Sequence, residues 1–312
     1  MRNLRTEREI TGYWEAAGEN PAVSICCIAY NHESYIEDAF EGFLIQETNF
    51  PFEIIVHDDA STDKTADIIR EYADAYPNII KPIIQEINQY SIGQSQPIMN
   101  AVRLSRGKYV AVCEADDYWL DPNKIQIQHD YLEKNPSIII SGHDAKIVNE
   151  KNEVVSESKL HDSMKRDFSP EDLVAGKCSV LTLNWFHRNI DVYSLPEQRH
   201  VLNMDNFVLS LLGHHGGSHY HRDIASSAYR VHSGGVWSGV SNNIKNEAQI
   251  NTFFWMYQYY SRVRMKSQAR CYWRKYLRVV FLQISYSDLV IEVFRKAFRS
   301  PYSKIRRLFA GH

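Results

Sequence analysis

The sequence predicts an α/β protein with a mostly parallel sheet flanked by helices and a helical C-terminal appendage. Three observations carry this. Short β-branched runs alternate with segments of helical periodicity from residue 23 to residue 141, the pattern of a sheet whose parallel strands are joined by crossover helices. Two of those runs stop in carboxylates, Asp58-Asp59 and Glu114-Ala-Asp116-Asp117. In open α/β sheets ligands bind beyond the carboxyl ends of the strands. From Ile244 onward the chain is rich in aromatic and basic residues at helical spacing. The expected division is an N-terminal segment (1–21), a catalytic domain (22–243) and a basic, aromatic-rich helical region (244–312).

Composition bounds the reading. A chain of 312 residues with 44% hydrophobic content buries a full core, which excludes global disorder. Five Cys, with Cys26 and Cys27 adjacent in one apolar run, do not form a disulfide framework and point to a reducing compartment. No apolar run approaches the roughly eighteen residues a membrane span requires, so a cytoplasmic location is expected. The net charge of −3 hides an asymmetry: from Arg262 onward thirteen Lys and Arg face only Asp288 and Glu292. An anionic partner for that tail, a membrane surface or a nucleic acid, follows from the split.

Each element has a reason. Residues 4 to 17 read as a short helix weakened at Thr11-Gly12. After Pro21, residues 23 to 30 form a buried strand, and Asn31-His-Glu-Ser34 is a polar turn whose Ser34 could cap the next helix. On that helix Tyr35, Ile36, Ala39, Phe40, Phe43 and Leu44 recur on one face. Residues 52 to 57 are the second strand, a helix runs from Ala66 to Tyr76, and residues 79 to 84 are the third strand. A loop over 85 to 96 and a helix over 97 to 105 lead through Gly107 to the strand at 108 to 113. Pro122 opens a helix, and residues 137 to 141 form another strand. Residues 144 to 168 carry no readable pattern. Ser169-Pro-Glu-Asp172 has the cap, first-turn proline and acids of a helix start. Residues 179 to 186 read as a strand.

The chemistry gathers at the two acidic strand ends. Adjacent carboxylates repel unless a cation or protons neutralise them, and oxygen ligands at this spacing suit Mg or Mn bridged to phosphate. A solvated acidic turn would account for one cluster, but not for two at the same sheet edge. A carboxylate at Asp58 or Asp59 can accept the imide N–H of uracil, and the Tyr30 ring one strand over offers a stacking surface. A base site and a metal-diphosphate site together describe a nucleotide-diphosphate pocket.

Three motifs in order, Val23-Ser-Ile-Cys-Cys-Ile-Ala-Tyr-Asn31, Glu53-Ile-Ile-Val-His-Asp-Asp-Ala-Ser-Thr-Asp-Lys-Thr65 and Arg106-Gly-Lys-Tyr-Val-Ala-Val-Cys-Glu-Ala-Asp-Asp-Tyr-Trp119, resemble those of the family 2 glycosyltransferases. The likeness covers roughly residues 22 to 240 and implies the GT-A fold, an inverting mechanism, a divalent metal and a nucleotide-sugar donor. It places Asp59 against uracil and Ala29 near the base beside Tyr30. The family's metal-binding Asp-x-Asp maps onto Glu114-Ala-Asp116, with Asp116 the direct ligand and Glu114 a departure from the pattern. Asp58 and Asp117 complete the donor-site acids.

The resemblance also directs attention to Asn203-Met-Asp205, an acid at the front of an apolar helix where the family carries its general base; Asp205 is the candidate. Ala228-Tyr-Arg-Val-His-Ser-Gly-Gly-Val-Trp237 resembles a Tyr-Arg-x-His element, which makes His232 a candidate to complete the metal shell or meet the diphosphate and Arg230 a candidate to pair with phosphate. The glycines would allow closure over the donor. His214, His215, His219 and His221 lack the Cys partners of a zinc cluster and are not assigned one.

The expected activity is transfer of a hexosyl or N-acetylhexosaminyl group from a UDP-sugar. The acceptor would be a saccharide or lipid-linked saccharide used in cell-surface polysaccharide synthesis, with the tail at the inner membrane face and no nucleic-acid partner. A sugar-phosphate nucleotidyltransferase would need a Gly-rich loop after the first strand, and Asn31-His-Glu-Ser34 is not one. A non-catalytic nucleotide-sugar-binding scaffold is the rival from another class.

Overall fold

A computed structural model describes residues 4–14, 20–93, 96–235 and 240–283, with residues 287, 290, 291 and 295. Trp237 of the Tyr-Arg-x-His element, and Lys296, Arg299, Lys304, Arg306 and Arg307 of the basic tail, lie outside the described residues.

The chain begins with helix α1 (Glu7–Thr11), where Thr6 and Glu9 form a reciprocal capping box and Gly12 ends the turn; the described helix is shorter than the predicted one. Strands β1 (Val23–Ala29), β2 (Phe52–Asp58), β3 (Ile80–Ile84) and β4 (Tyr109–Glu114) alternate with helices α2 (Ile36–Leu44), α3 (Thr65–Ala75) and α4 (Gln96–Arg103). Next come α5 (Lys124–Lys134), β5 (Ile138–Gly142), β6 (Ala145–Val148), β7 (Val154–Ser156), α6 (Pro170–Val174), β8 (Phe186–Arg188), α7 (Met204–Leu212), β9 (Gly217–Tyr220) and β10 (Ser227–Arg230). The long helices α8 (Asn242–Arg262) and α9 (Lys266–Gln283) close the described chain.

Seven strands form one sheet in the order β3-β2-β1-β4-β8-β5-β9. β3, β2, β1 and β4 are mutually parallel, while β8 runs antiparallel between β4 and β5. Both faces are covered, which explains why β1 and β2 read as continuous apolar runs rather than alternating ones. Ile25 and Cys27 face α2, α3 and α5, whereas Cys26 faces the layer of α4, α6, α7, α8 and α9. The adjacent cysteines therefore point to opposite faces of one strand, and all five in the chain are free thiols.

The amino end of the sheet is stapled by polar groups. Ser24 Oγ donates to Glu53 Oε1 at 2.7 Å, and Arg106 pairs with Glu53 at 2.6 Å. A Cβ on Gly107 would stand 2.5 Å from the Ser24 backbone nitrogen, so only glycine lets the chain enter β4 there. Arg106-Gly107 is thus an architectural part of the third motif.

Two segments differ from the sequence expectation. Residues 144 to 168 hold β6 and β7, which join β10 in a small sheet of order β10-β6-β7; strands of four and three residues are too short to show a period. Residues 179 to 186 form a 3₁₀ turn over Thr182–Asn184 instead of a strand. The indole N–H of Trp185 takes the Val180 carbonyl at 2.9 Å, and that of Trp119 takes the Leu183 carbonyl at 2.7 Å. Those carbonyls satisfy side chains rather than a sheet ladder.

The C-terminal hairpin is anchored to the sheet's helical layer. Tyr260 and Tyr272 stack with ring centroids 5.5 Å apart, and both hydroxyls reach Ser210 on α7. Tyr272 also donates to the Val174 carbonyl at 2.8 Å, and Arg262 pairs with Glu197. Among the described residues no helix is long and apolar enough to cross a membrane.

Candidate active site

Parallel pairing brings the acidic strand ends together. The register sets Ala29 opposite Asp58 and Ile28 opposite Glu114, so β1, β2 and β4 end at one edge. The loops that leave β1 and β2 are then locked to each other. Asn31, at φ 55°, donates its backbone N–H to Ser61 Oγ and accepts from the Thr62 N–H. His32 N–H bonds Thr65 Oγ1, Glu33 N–H bonds Asp63 Oδ2, and Lys64 N–H bonds Glu33 Oε2. Ala60 sits at φ 62°, a left-handed conformation costly for a residue with a Cβ. With its backbone consumed this way, the turn does not use Ser34 as a cap: α2 begins without a side-chain cap bond.

This locked turn aims His32 at the end of β4. His32 Nε2 lies 4.0 Å from Asp116 Oδ2, and His232 Nε2, arriving from beyond β10, lies 3.0 Å from the same oxygen. The three ligand atoms converge within 4.8 Å of one another. Burial lowers the pKa of His32, which keeps its imidazole neutral and fit to ligate. Burial pushes the Asp116 carboxyl up, but the hydrogen bond it accepts from His232 and the two imidazoles beside it hold it below the ordinary value, so it is ionised. An anionic oxygen and two imidazoles suit a divalent transition ion such as Mn.

The neighbouring acids differ from Asp116. Glu114 is raised to about 7 by burial and by the Asp116 charge, with Asp205 raising it further and Lys159 opposing. Asp117 is pushed well up by burial and by Asp116 and Glu114, and its Oδ1 accepts the Arg230 backbone N–H at 2.8 Å. It fastens β10 to the end of β4. Lys159, which carried no signal in the sequence, stands 3.3 Å over the Tyr229 ring with its charge toward Glu114 and Asp117.

Arg230 is placed differently from the diphosphate ligand the sequence suggested. Its side chain is 1% exposed, and its Nη2 binds Asp38 Oδ2 and Asn152 Oδ1, each at 2.5 Å. The guanidinium lies over the Tyr35 ring at 4.6 Å and near Tyr118 at 5.2 Å. Tyr35 in turn meets the His232 ring at 4.8 Å. Arg230 is therefore a buried clamp behind the histidine.

On the base side Tyr30 is 45% exposed and open to stacking, while Ala29 is buried and its carbonyl accepts the Asp59 N–H at 2.9 Å. Asp59 holds the loop after β3 by accepting from Gln89 N–H at 2.6 Å and Tyr90 N–H at 3.0 Å. Asp58 Oδ2 accepts from Ser61 N–H, and its Oδ1 is buried with no partner among the described residues. Asp58 thus holds the unused acceptor of the pair. Asp205 stands in the first turn of α7, its carboxyl raised by burial, and α8 pins that end of the helix through Asn251 and Thr252. Three of the four histidines at 214–221 go to separate partners: His214 to Tyr260, His219 to Asp167, His221 to Asp223.

The sequence model of glycosyl transferase family 2 matches residues 24–187. An uncharacterized protein of Mycobacterium tuberculosis is 35% identical over 215 residues, 69% of this chain and 60% of that protein. The chain thus spans about 60% of the length of these curated relatives. A UDP-Glc:α-D-GlcNAc-diphosphoundecaprenol β-1,3-glucosyltransferase of Escherichia coli is 37% identical over 111 residues, 36% of this chain and 41% of the enzyme. In structure the chain is similar to residues 1–349 of S. aureus TarS in complex with UDP, with a TM-score of 0.53 and 19% identity over 75% of this chain and 65% of that one. That likeness concerns the fold: a mixed α/β domain with a mostly parallel sheet.

Proposed function

We propose that this chain, which belongs to glycosyl transferase family 2, transfers sugars, moving a hexosyl or N-acetylhexosaminyl group from a UDP-sugar to a hydroxyl, with inversion. The observation that carries the reading is the convergence of His32, Asp116 and His232 at the sheet edge that also holds Asp58, Asp59 and the open Tyr30 ring.

The uracil stacks on Tyr30 and its imide N–H meets the acids at the end of β2. A divalent ion held by Asp116, His232 and His32, Mn rather than the oxygen-seeking Mg, would neutralise charge on the leaving diphosphate. Asp205 takes the proton of the acceptor hydroxyl as that oxygen attacks the anomeric carbon. The bond to the diphosphate breaks on the opposite face, its electron pair passing to the phosphate oxygen. Burial raises the Asp205 carboxyl, which makes it a stronger base than an exposed aspartate. The Escherichia coli relative's lipid-diphosphate acceptor supports a lipid-linked saccharide here.

The test is slow hydrolysis of a panel of UDP-sugars with Mn, followed by UDP release and by NMR of the first-formed anomer. Release of a sugar with inverted configuration is expected. Binding without release would favour the scaffold reading, and a retained anomer would overturn the single displacement.

A further inference from the structure

Helix α9 shows the solvent a face unlike the rest of the molecule. Its inner side, Ala269 and Tyr272, is buried against α8 and α6. Lys266, Arg270, Arg274 and Arg278 recur on the outer side at helical spacing and are exposed. Interleaved with them are Trp273 (38% exposed), Phe281 (53%) and Leu282 (78%). No Asp or Glu occurs anywhere between Lys266 and Gln283.

We propose that this face of α9 docks on an anionic lipid bilayer. The charges meet lipid headgroups, and Trp273, Phe281 and Leu282 enter the headgroup boundary, as on interfacial helices. A second copy of the same acid-free face would repel it. A nucleic-acid backbone would use the arginines but leave Phe281 and Leu282 in water.

The geometry also relates the face to the catalytic edge. Ring contacts between Tyr257 and Trp273 (5.0 Å) and between Phe254 and Tyr276 (5.9 Å) fix α8 and α9 antiparallel. The apolar end of α9 therefore runs back along the first turns of α8, where the Lys245 charge is felt by Lys159 beside Glu114 and Asp117. The α9 face does not depend on the donor site, and vesicle binding requires neither metal nor nucleotide.

The experiment is cosedimentation of the full chain with vesicles of phosphatidylcholine alone and of phosphatidylcholine mixed with phosphatidylglycerol, at low and high salt. Preferential, salt-sensitive binding to the anionic vesicles is expected. Each engaged basic residue is worth up to about fivefold in partitioning, so Arg270→Glu/Arg274→Glu/Arg278→Glu should weaken it at least about tenfold. Trp273→Ser/Phe281→Ser should remove whatever binding survives high salt. Thermal unfolding checks that each variant is folded, and Arg→Gln at the same three positions serves if charge reversal disturbs the hairpin. Absence of anionic preference in the wild type, unchanged binding in folded variants, or displacement from vesicles by single-stranded RNA at stoichiometric amounts would overturn the proposal.

Discussion

Replacing Arg230 by Met separates two roles for a residue that sequence alone would give to the donor. The guanidinium is 1% exposed, bonds Asp38 and Asn152, and covers Tyr35. Breaking a buried ion pair from one side costs about 3–5 kcal/mol, because the remaining charge stays buried. Asp38 keeps an Asn152 Nδ2 contact at 3.2 Å, which favours the lower figure. At about 2–4 °C per kcal/mol for a domain of this size, Tm should fall by roughly 6–12 °C. UDP affinity, measured by calorimetry well below the transition, should change by less than about threefold. The double variant Arg230→Met/Asp38→Leu should recover part of the lost stability, since apolar replacement of both partners is often neutral. An unchanged Tm with UDP binding weakened tenfold would refute the clamp and return Arg230 to the diphosphate.

Three further outcomes follow from the same geometry. His187 is buried, hydrogen-bonded to the Arg188 carbonyl and to Tyr193, and depressed to about 4. Between its unfolded value near 6.5 and that value only the unfolded chain takes the proton, so stability is full above about pH 6.5 and is lost as pH falls toward 4. From pH 7 to pH 5 its share is about 2 kcal/mol, and urea unfolding of His187→Gln should show a pH dependence flatter by that amount; an equal slope would place the effect elsewhere. Asp205→Asn should lower turnover at least about a hundredfold with UDP affinity nearly unchanged, and near-normal turnover in a steady-state assay would exclude it as the base. His32→Ala should weaken Mn binding at least about tenfold by calorimetry; unchanged affinity would leave His32 only the task of shaping the turn after β1.

Much of this was legible in the sequence for physical reasons. Doubly buried parallel strands write themselves as unbroken apolar runs, which made β1, β2 and β4 visible, and their acidic ends announced the edge where ligands bind. Asp116 and His232, 116 positions apart and both singled out by their motifs, lie 3.0 Å apart. His32 was read only as part of a polar turn. Its aim depends on side-chain-to-backbone bonds between two loops and on φ 55° at Asn31, none of which has a periodic trace. The pairing of Arg230 with Asp38 leaves no trace in the sequence, because Asp38 lies on the polar side of α2's pattern and is brought to Arg230 only by tertiary packing. The small sheet of β6, β7 and β10 escaped notice because its strands are shorter than the window in which alternation can be recognised.

On the proposed reading His32, Asp116 and His232 present a metal to the diphosphate of a UDP-sugar, which couples UDP binding to the metal. The most direct measure of that coupling is calorimetric titration of UDP into the full chain with and without Mn, repeated on Asp116→Asn. The account predicts that Mn tightens UDP at least about tenfold in the wild type, and that the variant, still folded by circular dichroism, loses the whole Mn-dependent increment. An Asp116→Asn protein that binds UDP with undiminished Mn dependence would contradict it.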